Sequence, residues 1–431
     1  MSRRKYTLLL FGVFALCAVL LVPMLDSGPN DAPDRLPPSG GQPPASNPAK
    51  TAAVTIRIGM AVDKAELRYW QEADRRFETE HPDIRIQLVN VPANDAVSEW
   101  KKASQIGDPF DVMLLASPQV ADFAVNGYLL PVDDLLAGID LSDQMEALTE
   151  PVKWNGSLWG VPFDYNPVVT VWSNALLKEA GLNGPPADWN AFTAAAKKLA
   201  SQRPDLAAVN VDLSDPAEAA AWLGSFDPNA GQTVWPGLLG TAGKQQLRFA
   251  ASQSRLVASL DPHAHAAELL ELFRSGRLLS AVMPWSDYTA LAGKAQGTLI
   301  TGDKPRPSVW PGGRSLVISA QSQAPAAAGR WIGAMASSAQ ELAGYNTLGT
   351  LPARKSAFSR AGGRAGAVGL PEKPQALPKP FRISADPHWP ERYRKWSALL
   401  APLAGRTPTP SETERLIRIW NEEGDGGAAT N

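Results

Sequence analysis

Four histidines and one cysteine are the whole supply of soft metal ligands in this 431-residue chain. A cysteine-rich zinc site, an iron–sulfur cluster and a disulfide framework all need more. His263 and His265 stand two apart in Pro262-His263-Ala264-His265. No third ligand accompanies them, and a helix start accounts for both. The chain contains no G-x-S-x-G, no G-x-x-x-x-G-K-S/T and no H-E-x-x-H, the motifs that would place a nucleophile, a phosphate cradle or a zinc pair. Asp133-Asp134 reads as a solvated helix start. No metal, no cofactor and no catalytic constellation are therefore expected, and an enzyme acting on glycans has only the aromatic content behind it. That content is unusual: 14 Trp stand against 12 Phe and 7 Tyr. An indole needs a partner for its N–H, so the surplus predicts surfaces that use flat rings for recognition.

The positioning elements follow from composition and pattern. Hydrophobic residues make up 44% and charged residues 19%, a globular mix that excludes wholesale disorder. Lys plus Arg is 41 and Asp plus Glu 43; that balance argues against a dedicated nucleic-acid binder. Val54–Met60 alternates and ends near glycine, which predicts a strand. Ala65 to His81 carries Leu67, Trp70, Ala73 and Phe77 at helical spacing and stops at Pro82. Ile84–Val89 reads as a second strand, Val97–Gln105 as a helix and Asp111–Leu115 as a third, buried strand. Strand–helix–strand–helix–strand with short loops predicts an α/β fold with a parallel sheet, whose ligands sit beyond the carboxyl ends of the strands. Those ends are Met60-Ala61-Val62-Asp63 and Ala116-Ser117-Pro118. Further helices are predicted from Asp188 to about Ser201 and over 263–275, 323–339 and 410–422. The stretch 203–245 shows no clear periodicity.

The N-terminus reads as an export or anchoring device. Arg3, Arg4 and Lys5 precede an uncharged, mostly apolar run. Residues 7–25 would span roughly 28 Å as a helix, against about 30 Å for a hydrocarbon core. The run lacks the A-x-A exit of a cleaved signal, and Cys17 lacks the small preceding residue of a lipoprotein signal. Residues 1–25 are thus expected to be a membrane anchor or signal segment. Residues 26–50, which hold seven prolines, are a Pro-rich linker. The folded part starts near Thr51 on the outer face of the cytoplasmic membrane.

Several segments together resemble the family 1 extracellular solute-binding proteins of ABC transporters. Arg76-Phe77-Glu78-Thr79-Glu80-His81-Pro82-Asp83-Ile84 resembles that family's first helix running into its second strand. Gly107-Asp108-Pro109-Phe110-Asp111-Val112 and Gly127-Tyr128-Leu129-Leu130-Pro131-Val132-Asp133-Asp134-Leu135 follow in the family's order. The longest similar stretch is Asn155-Gly156-Ser157-Leu158-Trp159-Gly160-Val161-Pro162-Phe163-Asp164. It continues through Trp172 to Leu177-Lys178-Glu179-Ala180-Gly181-Leu182. Phe273 to Trp285, Trp310-Pro311-Gly312-Gly313 and Leu351-Pro352-Ala353-Arg354 complete the series.

The resemblance implies a two-lobe periplasmic-binding-protein-like α/β fold, with a ligand cleft at a multi-crossing hinge. Crossings would lie near Asp164–Pro167, Trp310–Gly313 and Leu348–Leu351. Lobe one would be 51–164 plus 313–349, and lobe two 165–312 plus 350–431. The implied function is capture of a small-molecule ligand, a sugar or oligosaccharide, for ABC permease subunits. The alternative is a membrane-tethered ligand-sensing module that feeds no transporter.

A sugar offers C–H faces to rings and hydroxyls to fixed partners. On that basis Trp285 is expected to stack on the ligand, and Asp287 to accept its hydroxyls. Trp310 would line the cleft, with Gly312 and Gly313 admitting close backbone approach. Tyr165 and Asn166 follow the Pro162 turn, where the resemblance puts ligand contacts. Arg354 would bind the ligand or a carboxylate of the other lobe. Asp63 and Ser117 are candidates from their strand-end positions. Trp154 and Trp159 are expected to pack under the hinge.

Overall fold

A computed structural model describes residues 53–108, 110–135, 140–227, 239–295, 298–301, 312–360 and 384–428. The anchor and linker segments, Cys17 and Trp310 lie outside these residues. Ala52–Asn431 forms one compact unit. Its strands are β1 (Val54–Met60), β2 (Ile84–Asn90), β3 (Val112–Ala116), β4 (Val161–Tyr165), β5 (Val168–Ser173), β6 (Val209–Asn210), β7 (Val257–Ala258), β8 (Ser280–Pro284), β9 (Leu299–Ile300), β10 (Arg314–Ile318) and β11 (Leu351–Pro352). They build two sheets. The first has the order β11-β4-β10-β3-β1-β2, the second β9-β5-β8-β6-β7.

The first sheet is mixed. β2, β1 and β3 are parallel, as their alternation with helices dictates. β10 then enters antiparallel between β3 and β4, and β11 pairs antiparallel with β4. The parallel pairing read from the first three strands is present, and the other half of the sheet is closed by antiparallel strands arriving from distant sequence, which need no crossover helix. Leu351 faces Tyr165 and Pro352 faces Asp164, so backbone hydrogen bonding holds both Tyr165 and Leu351–Pro352 in the first sheet.

The longer helices are α1 (Lys64–Glu80), α2 (Ala96–Ile106), α3 (Trp189–Gln202), α4 (Pro216–Gly224), α5 (Thr241–Ser252), α6 (Ala266–Arg274), α7 (Trp285–Ala295), α8 (Pro325–Met335), α9 (Ser338–Leu348), α10 (Trp389–Leu400) and α11 (Pro410–Ala428). α4 and α5 fall in the stretch without visible periodicity. α4 is buried from Pro216 to Leu223, so it shows no polar face to produce a period. Its start was nevertheless written in Asp215-Pro216: the Asp215 carboxylate accepts from the N–H groups of Ala217 and Glu218, and proline suits the first turn. Asp133 accepts the Leu158 N–H at 2.9 Å and ties a short hairpin to the preceding turn. His265 does precede a helix, α6.

The tryptophans are core residues. Of the twelve among the described residues, ten are buried and only Trp154 and Trp159 are half-exposed. Trp159 leans on the first sheet's core and donates to the Trp154 carbonyl at 2.9 Å. The reading of indoles as recognition surface is corrected accordingly: residue counts are the same whether rings face solvent or interior. Under the first sheet, Trp70 lies 4.7 Å from Phe163 and 5.9 Å from Trp331, ring centre to ring centre. The indole of Trp331 is satisfied by buried Asp74, at 2.8 Å. Under the second sheet, Trp189 stacks on Phe192, and Trp396 packs edge-on against Trp420. α10 and α11 are thereby joined to that core.

Burial pushes the Asp74 carboxyl up to about 7, against the opposing hydrogen bond from Trp331. A carboxyl with a folded pKa above its unfolded value of about 3.9 binds its proton more tightly when folded. Its contribution to stability is complete below about pH 4 and is lost as pH rises through about 7. Asp74→Asn keeps an acceptor for Trp331 without the ionisation. We expect its melting temperature to exceed that of the parent protein at pH 8 and to match or fall below it at pH 4.5, in paired thermal melts.

Candidate functional site

The carboxyl ends of β1 and β3, the end of β4 and the start of β10 lie along one edge of the first sheet. Beyond β1, the Asp63 carboxylate accepts the N–H groups of Ala65 at 2.7 Å and Glu66 at 2.8 Å. Asp63 is therefore the cap of α1. Beyond β3, Ser117 is buried; its N–H donates to the Gly313 carbonyl at 2.9 Å and its hydroxyl pairs with Ser315 at 2.8 Å.

Between these points lies a charge cluster that residue types did not reveal. Arg314, the first residue of β10, donates through Nε to both oxygens of Asp164 at 3.1 Å. It reaches Glu66 Oε1 at 2.8 Å and Oε2 at 3.1 Å, and its second terminal nitrogen also contacts Asp164. Trp70 donates to the same Glu66 carboxylate at 3.0 Å. Side-chain exposure is 24% for Arg314, 14% for Glu66 and 4% for Asp164. Burial would lower the guanidinium pKa, but the two carboxylates more than offset it, and Arg314 is held firmly cationic. The signal was faint because Glu66, Asp164 and Arg314 are far apart in sequence. Only the β10–β4 pairing, with Arg314 opposite Asp164, brings them together.

Tyr165-Asn166-Pro167 carries the chain from the first sheet into β5. Asn166 is bonded twice to Ser286: its Oδ1 accepts the Ser286 N–H at 3.0 Å and its Nδ2 donates to the Ser286 hydroxyl at 3.1 Å. The N–H of Trp285 donates to the Pro167 carbonyl at 2.8 Å. The return strand passes alongside. Gly312 has φ +53°, and a Cβ there would fall 2.2 Å from the Asn166 carbonyl oxygen, so only glycine fits. At Gly313 a Cβ would lie 3.4 Å from both the Asp164 carbonyl and the Ser117 hydroxyl.

Asn166, Gly312, Gly313 and Ser117 are thus neighbours around the Arg314 cluster. Tyr165 and Trp285 are buried just behind, in one apolar cluster with Leu148, Tyr288, Tyr345 and Leu351. Trp285 is 5% exposed and sits edge-on to Tyr288. Among the described residues, neither the Tyr165 hydroxyl nor the Trp285 indole N–H has a hydrogen-bond partner. Burial raises the Tyr165 pKa, so the hydroxyl keeps its proton as a donor. Asp287, on the first turn of α7, turns toward His263, 3.4 Å away, and burial raises its pKa. Asp212, Asp261 and Asp287 follow the ends of the adjacent parallel strands β6, β7 and β8.

Arg354 stands apart. It is buried, and its side chain donates to the carbonyls of Ala336 and Asp140, the latter at 2.9 Å. It also pairs with Asp143 at 3.5 Å and Glu341 at 3.8 Å. Its role visible here is to join α9 to the turn around Asp140–Asp143.

A family model described as bacterial extracellular solute-binding protein matches residues 72–366. The mannitol-binding protein of Pseudomonas aeruginosa is 26% identical over 239 residues, 52% of this chain and 53% of that one. The chain spans between 32% and 53% of the length of the curated relatives it matches. Among solved structures, a Thermotoga lettingae solute-binding protein bound with α-D-tagatose aligns with TM-score 0.67 at 17% identity, covering 87% of this chain and 99% of that one. The sugar-binding protein MalE of Xanthomonas citri aligns with TM-score 0.67 at 19% identity, over 87% and 98%. At such identities these two likenesses establish the fold.

Replacing Arg314 leaves two largely buried carboxylates without their shared cation. For Arg314→Gln we expect a loss of about 2–4 kcal/mol in urea unfolding, the lower side of the range for a fully buried pair because part of the guanidinium is exposed. Arg314→Lys, a point charge without the planar fork, should recover less than half of that loss.

Proposed function

The chain belongs to the bacterial extracellular solute-binding proteins, and on that premise we propose that it captures a carbohydrate outside the cytoplasmic membrane and hands it to an ABC importer. Capture proceeds by closure of two lobes, one on each sheet. Lobe one is 51–164 plus 313–349 and lobe two 165–312 plus 350–431, with the pairing of Tyr165 and Leu351 lying at their boundary. The observation that carries the ligand class is the pair of buried, unpartnered donors, Tyr165 Oη and Trp285 Nε1, on either side of the crossing. An unsatisfied buried donor costs about 1–3 kcal/mol. Such groups are retained where a ligand supplies the acceptor. A polyhydroxylated ligand offers many acceptors and apolar C–H faces for the surrounding rings. The mannitol, tagatose and maltose binders among the relatives and structural neighbours support the same class. Asn166, Gly312, Gly313, Ser117, Asp63, Asp287 and Trp310 remain the lining candidates, Trp310 lying outside the described residues, while Arg354 is committed to partners away from them.

Residues 7–25 hold the protein to the membrane in this reading, with 26–50 as a tether. No helix among the described residues is long and apolar enough to cross a membrane, and residues 7–25 are not among them. A retained anchor and a proline tether favour a second reading, a tethered sensor that presents ligand to a signalling partner. Co-purification of permease subunits supports the importer; their absence beside a co-purifying receptor supports the sensor.

Titration of the full-length protein with mannitol, tagatose and maltose tests the ligand class. A bound sugar in hundredfold excess over its Kd adds about 2.7 kcal/mol of stability and raises the melting temperature by several degrees. Sugar consumed during the titration would replace binding with turnover. Trp285→Phe keeps a buried aromatic ring and removes the indole N–H together with the fused part of the ring system. We expect it to weaken sugar binding about five- to tenfold, the worth of one hydrogen bond. Unchanged affinity would leave Trp285 as a core residue.

The anchor has its own test. Intact mass and N-terminal sequencing of membrane-extracted protein should find residues 1–50 retained. A lipidated N-terminus at Cys17, or one between residues 25 and 50, would overturn the anchor.

A further inference from the structure

An α-helix leaves its first N–H groups without partners in the helix. In α7 the first two are both satisfied by the crossing: Trp285 N–H by the Pro167 carbonyl at 2.8 Å, and Ser286 N–H by Asn166 Oδ1 at 3.0 Å. Asn166 Nδ2 adds a bond to the Ser286 hydroxyl at 3.1 Å. The Asn166 amide thus has an acceptor and a donor committed to α7, and it acts as that helix's N-cap from a distant part of the chain. β8 reinforces the arrangement, since Pro284 pairs with Val168 immediately after the crossing.

Two residues earlier the allegiance reverses. Asp164 is held by Arg314 to the first sheet. The return crossing repeats the pattern, with Gly312 against the Asn166 carbonyl and Arg314 two residues on. Pro167 has its φ locked by its ring. Tyr165 is itself paired with Leu351 in the first sheet, so the link left between the two attachments is the one joining Tyr165 to Asn166.

We propose that Asn166 is a positioning residue: by capping α7 it makes Asn166–Pro167 and Trp285 one mechanical unit, so that lobe rotation pivots at the Tyr165–Asn166 link and carries the Trp285 ring with it. The value of that coupling to ligand capture rests on the proposed carbohydrate site; the capping itself does not. A capping residue sets the orientation of Trp285 in the free protein, whereas a ligand contact does so only in the complex.

The test uses ligand-free, full-length protein labelled with 15N-tryptophan, with the Trp285 indole resonance assigned by Trp285→Phe. Asn166→Ala should shift or broaden that resonance. It should also speed amide exchange at Trp285 and Ser286 by about five- to thirtyfold, the exchange equivalent of a lost N-cap. Asn166→Asp retains the acceptor for the Ser286 N–H and should restore both signals to near the parent values. Ser286→Ala, which removes only the hydroxyl bond, should have a small effect. Should Asn166→Ala fail to fold, Asn166→Ser shortens the same side chain and carries the same expectation. An unmoved Trp285 resonance with unchanged exchange in the Ala or Ser variant overturns the proposal, as does failure of Asn166→Asp to restore them. Because no ligand is added, a failure of the carbohydrate reading leaves this outcome independent.

Discussion

The guanidinium of Arg314 between Asp164 and Glu66 is the constraint on which the rest of this architecture depends. It joins the start of β10, the end of β4 and the first turn of α1 at one point. Those three elements come from three widely separated parts of the chain. Two carboxylates and one guanidinium leave a net negative charge in a largely buried place, and Glu66 also receives the Trp70 indole. Glu66 gains further from its place in the first turn of α1, where helix N–H groups favour negative charge. A planar fork with five donors satisfies both carboxylates at once, which an ammonium does not.

From that point outward the order of the site is one of diminishing attachment to the first sheet. Ser117 and Gly313 are tied to each other and to Ser315. Asn166 and Pro167, one turn of chain away, are tied to α7. Between them Tyr165 has a backbone in β4 and a side chain in the apolar cluster that also holds Trp285. The hydroxyl and indole without partners among the described residues therefore lie in the buried cluster beside the point where the two sheets' attachments change over.

Much of this was legible in the sequence, and the limits have physical causes. β1, α1 and β2 were readable because alternation, helical spacing and Pro82 are local signals. The resemblance was readable because its segments keep their order over about 300 residues, close to the 72–366 span of the family match. Local patterns carry no information about β10, whose position between β3 and β4 is fixed by pairing with residues far upstream. The Arg314 cluster was invisible for the same reason. α4 failed for another: a helix buried on all sides has no amphipathic period, and only its Asp-Pro start remained as a signal. The tryptophans misled because composition counts rings without saying which way they face. Strand ends were read correctly as positions, but Asp63 and Ser117 are engaged in a helix cap and a backbone tie that position alone does not specify.

The insertion of β10 between β3 and β4 also orders the events of folding. Every strand of the second sheet lies between Val168 and Ile300, so those strands can pair as a contiguous block. The first sheet cannot. Until Arg314–Ile318 has been made, β3 and β4 have no strand between them, and loop-closure entropy must be overcome before their long-range partner arrives. A chain emerging N-terminus first therefore presents one open edge of β3 and both edges of β4 throughout synthesis of the second sheet. Open edges invite pairing with other chains. The folded part contains no cysteine, so no disulfide can hold the first sheet together ahead of its inserted strand.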